Sequence, residues 1–459
     1  MNRMLWGRTG LVWFFVCAGL AVGRADVATQ LRTLAGAPAR VVWCRQVAGE
    51  GGDPFATNAW YALMALDTEE GAERVLVPGP ASVRKPLISP DGRVVVFTDH
   101  LRGVARAVDF AGGRPRDLGP GHAADVWVDP MDGRLWVYAI RGPLRTEAMM
   151  GSPVVRFPID QPDRVEVVWS KTEVSTDNFQ VTPDGTRAVG LCPWPQASWM
   201  ELPEGGLKRL GRGCWTSRAP DDSRLAWAFD GAHRSFIVWN VQENLRWTVP
   251  ANTAPGMDGA EVYHPRWGWP AHLLAVTGPY MAGSGASRIA FGGPRVEVYV
   301  GRFSDDRRAI VGWVQVTHND VADYYPDVWA ASAPPTERPA APAPPSLASP
   351  LAAGRSVVEA RLRAMTRTPA ASEIHPYKQA LVAHEYEVLR TVEGPALEGR
   401  ILVLHWGVRD RRPVPFRRRL GETATFAVEP YDAHPELEGE RVVMDMDPAG
   451  RPLYLAVEL

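Results

Sequence analysis

The chain has 459 residues, with 50 Lys and Arg against 52 Asp and Glu and a formal net charge of −2. That near-balance argues against nucleic acid as a partner, which would favour a concentrated basic face. Nothing after the first 25 residues approaches the run of about 18 apolar residues that a membrane helix needs.

The N-terminus reads as a leader. Arg3 and Arg8 precede an apolar run of 13 residues from Leu11 to Gly23, and the small residues Gly23 and Ala25 precede Asp26. A basic start, a short apolar centre and small residues at the −3 and −1 positions describe a secretory signal peptide cleaved after Ala25. The run is too short to span a bilayer. Val16 stands where a lipid-attachment motif at Cys17 would want a small residue. Cleavage removes Arg3, Arg8 and Arg24 and no acid, which leaves 47 basic and 52 acidic side chains and a charge of −5. The expectation is an exported protein, periplasmic or extracellular, with no membrane span. Three cysteines remain after cleavage. Cys192 and Cys214 could pair in an oxidising compartment, or Cys44, Cys192 and Cys214 are all buried small hydrophobes.

Val27 to Leu34 reads as a short helix or arm, and Arg40–Cys44 as the first strand. A repeated pattern then takes over. Ile88-Ser89-Pro90-Asp91-Gly92 leads into Arg93-Val94-Val95-Val96-Phe97. Pro fixes φ, Asp bonds to its own backbone and Gly accepts positive φ, so Pro-Asp-Gly before an apolar run is a turn feeding a buried strand. Copies of the pattern centre on Pro130, Pro183 and Pro220, with looser ones at Pro265 and Pro326. The steps between these prolines are 40, 53, 37, 45 and 61 residues, the period of a four-stranded propeller blade with insertions. Arg40–Cys44 has no such turn before it, and Pro326-Asp327 has almost no strand after it. The two ends are therefore expected to complete one blade between them, which closes the ring and leaves no open sheet edge.

These repeats resemble those of TolB-type propellers, and the count of six is similar to that of the TolB propeller. The resemblance covers about residues 36–332 and implies an all-β, six-bladed β-propeller. The same repeat serves binding scaffolds, peptidase gating propellers and polysaccharide lyases, so it does not settle activity.

From 330 to 350 the composition shifts to 7 Pro and 7 Ala in 21 residues, a polyproline-like spacer. Residues 351–459 follow as a small β domain. Ser356–Met365 has helical spacing and predicts a short leading helix. The later apolar runs predict four or five strands in a small β-barrel or β-sandwich, with an OB-like barrel as the first choice.

Candidate chemistry gathers in the fifth and sixth blades. His233 and Arg234 follow a buried strand, His264 and Arg266 open the sixth blade, and His318 ends it. Converging on one mouth, Arg forks would suit a carboxylate or sulfate, and three neutral imidazoles, His233, His264 and His318, would suit a divalent metal. The competing account has these groups capping strand ends. Recurrent Trp43, Trp127, Trp136, Trp227, Trp239, Trp267 and Trp329 read as packing between blades. Trp194, Trp199, Trp269 and Tyr280 lie off the repeat and could stack on a sugar or grip a peptide. Arg409–Arg419 is a basic loop, read as solvated or as facing an anionic partner such as a glycan, and His405-Trp406 with Tyr431–Pro435 could frame a second pocket.

Catalytic motifs are wanting. Gly283–Ser287 has the wrong spacing for a nucleophile elbow, and His384-Glu385 lacks the second His of a zincin. The expected role is non-catalytic binding or scaffolding in the periplasm or envelope. A propeller mouth would take an envelope protein or an anionic glycan, and no cofactor is expected. The alternative is a metal-dependent lyase or hydrolase acting on an acidic polysaccharide; oligogalacturonate lyases are propellers of this general type, though a seven-bladed count would suit them better.

Overall fold

A computed structural model describes residues 26–48, 60–144, 149–257, 259–280, 296–331, 354–375, 377–446 and 451–457. The leader, most of the Pro/Ala-rich segment and Gly283–Ser287 lie outside the described residues. A helix at Val27–Ala35, capped by the Asp26 carboxylate on the Thr29 N–H at 2.6 Å, buries Leu31 and Ala35.

Six four-stranded antiparallel sheets follow, one per blade. Their innermost strands are Asp323–Ala330, Val83–Ile88, His122–Val128, Phe179–Val181, Cys214–Arg218 and Glu261–Trp267. The ring closes as the repeat demanded. Asp323–Ala330 pairs antiparallel with Ala39–Ala48, with Val328 opposite Val41, so blade one takes its inner strand from the far end of the chain.

The Pro-Asp-Gly turns join the first and second strands of a blade. Their glycine answers two needs at once. Gly92 sits at φ 75°, and a Cβ there would lie 2.7 Å from the Trp329 ring, which donates its indole N–H to the Pro90 carbonyl at 2.9 Å. The turn of one blade is thus held by a tryptophan of the blade before it.

Two of the register marks mean something else. Pro265 and Pro326 lie inside innermost strands, where their counterpart is Pro86; in blade six the turn between the first and second strands is carried by Pro270. The count of six survives this because each mark still falls once per blade.

The C-terminal domain is a closed barrel rather than a sandwich. Ser356–Met365, Ala380–Glu393, Arg400–Arg409, Leu453–Val457 and Thr423–Pro430 pair in that order, and the last returns to the first. The expected leading helix is instead the first barrel strand. Its burial alternates with period two, Ser356, Val358, Ala360 and Leu362 facing in, while Met365 is exposed. The β-branched Val357-Val358 pair belongs on a pleated surface, and pairing with two neighbours overrides the loose helical spacing.

The barrel is seated on blades four to six through buried polar contacts. Arg441 and Glu261, each 1% exposed, form an ion pair at 2.6 Å across the seam. Arg441 also donates to the Gly231 and Val442 carbonyls, and Arg212 meets Glu440 at 2.8 Å.

Candidate functional site

The innermost strands are not regular. Lys85, Trp215, His264 and Tyr325 have φ of 44°, 54°, 50° and 50°, one in each of blades two, five, six and one. Each sits where the pairing register with the next strand breaks. Non-glycine residues avoid this left-handed region, and such strain gathers at functional sites. In three of the four the next residue is proline, Pro86, Pro265 or Pro326. Proline has no N–H, so the broken ladder strands no donor at that position.

All four side chains line one recess at the mouth where the inner strands begin. Asp177, Gln180, Thr216 and Arg266 complete its wall, and the recess is narrow, the four side chains that line it being 2–7% exposed. Lys85 donates to the Ala124 carbonyl at 2.8 Å and to that of Thr176. Burial, reinforced by nearby Arg266, lowers its pKa to about 7. The Tyr325 hydroxyl donates to Asp177, 3.5 Å away, whose carboxyl is pushed up chiefly by burial.

His264 Nδ1 is met by two hydroxyls, Thr277 Oγ1 at 2.9 Å, which also reaches the Tyr263 carbonyl at 3.1 Å, and Tyr280 at 3.3 Å. Among the described residues His264 Nε2 has no hydrogen-bond partner, nor does the Thr216 hydroxyl in the same wall. Burial, with Arg84 adding to it, pushes the His264 pKa down to about 3, so the ring is neutral. Trp215 and Tyr325 pack on it with centroids at 4.9 and 4.2 Å.

Arg266 is occupied. It bonds Asp125 at 3.0 Å and Asp327 at 3.1 Å; burial opposes its charge, but the two carboxylates outweigh burial and raise its pKa. Beyond it, toward the other mouth, lies a second recess of about 570 Å³ lined by Arg218, Trp127, Trp269 and Trp329.

The predicted site residues divide into three places. His264 and Arg266 lie in the channel wall. Tyr280 is fully buried beside His264, at 3.3 Å from Nδ1, at the end of strand Leu273–Tyr280, and presents no face for a sugar. His233 and Arg234 lie in the seam with the barrel. His233 Nε2 meets Cys214 Sγ at 2.9 Å and the Tyr377 hydroxyl at 3.1 Å, and Arg234 reaches Met444 Sδ at 3.1 Å. His318 is exposed past the outer strand of blade six. His233 packs edge-on against Tyr263, the residue before His264. The two imidazoles are linked through tyrosines, His233 to Tyr263 at 4.6 Å, Tyr263 to Tyr280 at 4.4 Å and Tyr280 to His264 at 6.4 Å between ring centroids. Among the described residues, no three His, Cys, Asp or Glu gather as a metal site.

Of the off-repeat aromatics, Trp199 is buried in a strand of blade four and Trp194 packs on Tyr377, while Trp269 borders the second mouth. The three cysteines are free and buried. Tyr431 and His434 are tied locally, to the Leu437 carbonyl and to Glu429 and Glu436, and His405 turns into the barrel end. Lys85, Trp215 and Tyr325 escaped sequence reading. A local signal existed for Lys85 alone, the Lys85-Pro86 pair four residues ahead of turn proline Pro90; Trp215 is followed by Thr216 and Tyr325-Pro326 has no turn proline after it.

No family model matches this sequence, and no curated protein matches it. Among solved structures the chain is similar to TolB from Acinetobacter baumannii, with 14% identity, coverage of 66% of this chain and 70% of that one, and a TM-score of 0.44. It is also similar to a chain of a nidogen/laminin complex, with 9% identity, coverage of 63% and 98%, and a TM-score of 0.42. What the six sheets and their closing strand establish is the fold alone.

Proposed function

We propose that this is an exported, non-catalytic binding or scaffold protein of the periplasm or cell envelope. Its propeller mouth would hold a protein partner or an anionic glycan. The observation that carries this reading is the ring of four left-handed residues, Lys85, Trp215, His264 and Tyr325, around one recess. Aromatic walls supply contact area, and His264 Nε2 and the Thr216 hydroxyl, without a hydrogen-bond partner among the described residues, would meet a ligand group able both to donate and to accept. A hydroxyl or a primary amide on the partner does both. We further read the C-terminal barrel as OB-like, on its five-stranded ring with parallel third and fifth strands.

The alternative, a metal-dependent lyase or hydrolase of acidic polysaccharide, asks for several ligands around one ion. His233 in the seam, His264 in the channel wall and His318 at the surface supply them to three different places. Two measurements decide. A photoreactive residue at position 216 should give a discrete adduct in envelope extracts that a control at exposed Val311 does not; equal labelling at both sites refutes the mouth. Metal analysis of the purified mature protein should find no stoichiometric transition metal. About one per chain, lost on His233→Ala/His264→Ala, would instead establish the lyase reading.

A further inference from the structure

The barrel carries a surface that the propeller reading does not use. Between strands Arg400–Arg409 and Thr423–Pro430 runs Arg409–Arg419, with six arginines and one acid, Asp410, in 11 residues. The segment is well anchored. Arg409 pairs with Arg412 across a two-residue turn, Asp410 at φ 48° and Arg411 at φ 61°. Val414 N–H donates to the Gly407 carbonyl at 2.7 Å. Phe416 packs on the His384 ring at 4.2 Å, and Arg418 turns inward to the Tyr386 hydroxyl at 3.0 Å and over the Phe426 ring at 4.2 Å.

With those anchors made, Arg409, Arg411, Arg412, Arg417 and Arg419 are left exposed. Among the described residues, Arg409, Arg412, Arg417 and Arg419 have no carboxylate partner; Glu422 accepts from the Arg419 backbone N–H at 2.9 Å. Exposed Lys378 joins them, its carbonyl accepting from Arg411 N–H at 2.8 Å. Two local rules are broken here together. Like charges stand directly opposite at Arg409 and Arg412, which disfavours a strand pair, and an arginine occupies a left-handed turn position that suits glycine or asparagine. Local conflicts of this kind, held in place by buried anchors, are a mark of function.

We propose that this basic hairpin is a binding surface for an acidic polysaccharide, separate from the propeller recess. Guanidinium forks accept carboxylate and sulfate groups bidentately. The aromatics that would stack bases are taken up, Trp406 lying under Arg409 at 4.5 Å and Phe416 turned inward, so the loop offers forks without a stacking platform. Leu420 is the one large exposed apolar side chain here, and with Pro413 and Pro415 it gives too little to enter a lipid surface.

The test titrates a labelled heparin oligosaccharide, which bears both oxyanions, into the full mature protein at several salt concentrations. Binding should weaken with salt with a log–log slope of about −3 to −4. Arg412→Gln/Arg417→Gln/Arg419→Gln should lower affinity at least tenfold and flatten the slope by about three, with the unfolding midpoint unchanged because all three side chains are exposed. The matching triple change to Lys keeps charge and loses the forks, and should cost several-fold. Absence of binding at low salt overturns the proposal. So does a triple Gln variant that binds like the parent, or equal affinity for single-stranded DNA or phosphatidylglycerol vesicles. None of the substituted residues lines the propeller recess, so failure here leaves that reading standing.

Discussion

Arg441→Met is the substitution that most directly tests how the two domains are joined. In the parent, Arg441 and Glu261 meet at 2.6 Å with 1% exposure on each side, and Glu261 Oε2 also accepts from the Tyr263 hydroxyl at 2.7 Å. Methionine keeps the length of the chain and removes the charge, leaving the carboxylate buried with one neutral donor. Breaking a buried pair from one side costs about 3–5 kcal/mol, because the surviving charge is uncompensated. Lost bonds to the Gly231 and Val442 carbonyls fall within that range. Adding Glu261→Gln removes the stranded charge and keeps the Tyr263 contact, so the double variant should recover about 2 kcal/mol or more. The assay is denaturant unfolding followed by tryptophan fluorescence, with limited proteolysis to detect a released barrel. A single transition in the parent should split in Arg441→Met, as the barrel and propeller uncouple. A loss under about 1 kcal/mol, or a double variant that simply adds the two single losses, would refute the claim that this pair holds the seam.

Three further outcomes are expected. The His384 ring, buried and accepting the Thr366 N–H at Nδ1 at 3.2 Å, has its pKa pushed from 6.5 down to about 4, mainly by burial. Its folded value lies below its unfolded one, so the stability it contributes as a neutral ring is complete above about pH 6.5 and is lost as pH falls toward 4. The unfolding free energy of the parent relative to His384→Gln should therefore drop by about 1.4 kcal/mol per pH unit across that window; a difference that stays flat with pH contradicts the assignment. Burial pushes the Cys192 and Cys214 thiols up to about 11 and about 12, and raises that of Cys44 as well. All three should resist a thiol reagent in the folded protein and react on unfolding, and a Cys192–Cys214 disulfide found by mass spectrometry would overturn this. Gly92→Ala should cost about 2–3 kcal/mol in denaturant unfolding, from the left-handed backbone and from the clash with Trp329 together; a loss below about 0.5 kcal/mol would mean the turn relaxes freely.

The fold was legible where its signals are local. A Pro-Asp-Gly turn needs only its own residues to act, so the marks at Pro90, Pro130, Pro183 and Pro220 were turns as read, while Pro265 and Pro326, inside innermost strands, preserved the count only because each also falls once per blade. Ser356–Met365 misled because ten residues with apolar positions at mixed spacing satisfy two periods, and only pairing with two neighbours selects the strand. The site was legible in part. His264 and Arg266 do face the channel, but the direction of His233 depends on how the barrel docks, through Tyr377, 144 residues away in sequence. No spacing rule reaches that far.

The recess itself argues against packing as the sole account of its residues. Packing between equivalent blades should repeat around the ring, as the tryptophan-on-turn contact does between blades one and two and between blades three and four, where Trp127 donates to the Pro183 carbonyl at 2.9 Å. The recess does not repeat. Blades one, two, five and six each send in a left-handed residue, a tyrosine, a lysine, a tryptophan and a histidine. Blades three and four instead supply acceptors, the Ala124 carbonyl and the Thr176 carbonyl beside Asp177. Four strained backbones carrying four different side chains, set against a contrasting pair of blades, break the pseudo-symmetry around this recess. Closure of the ring does not require that asymmetry.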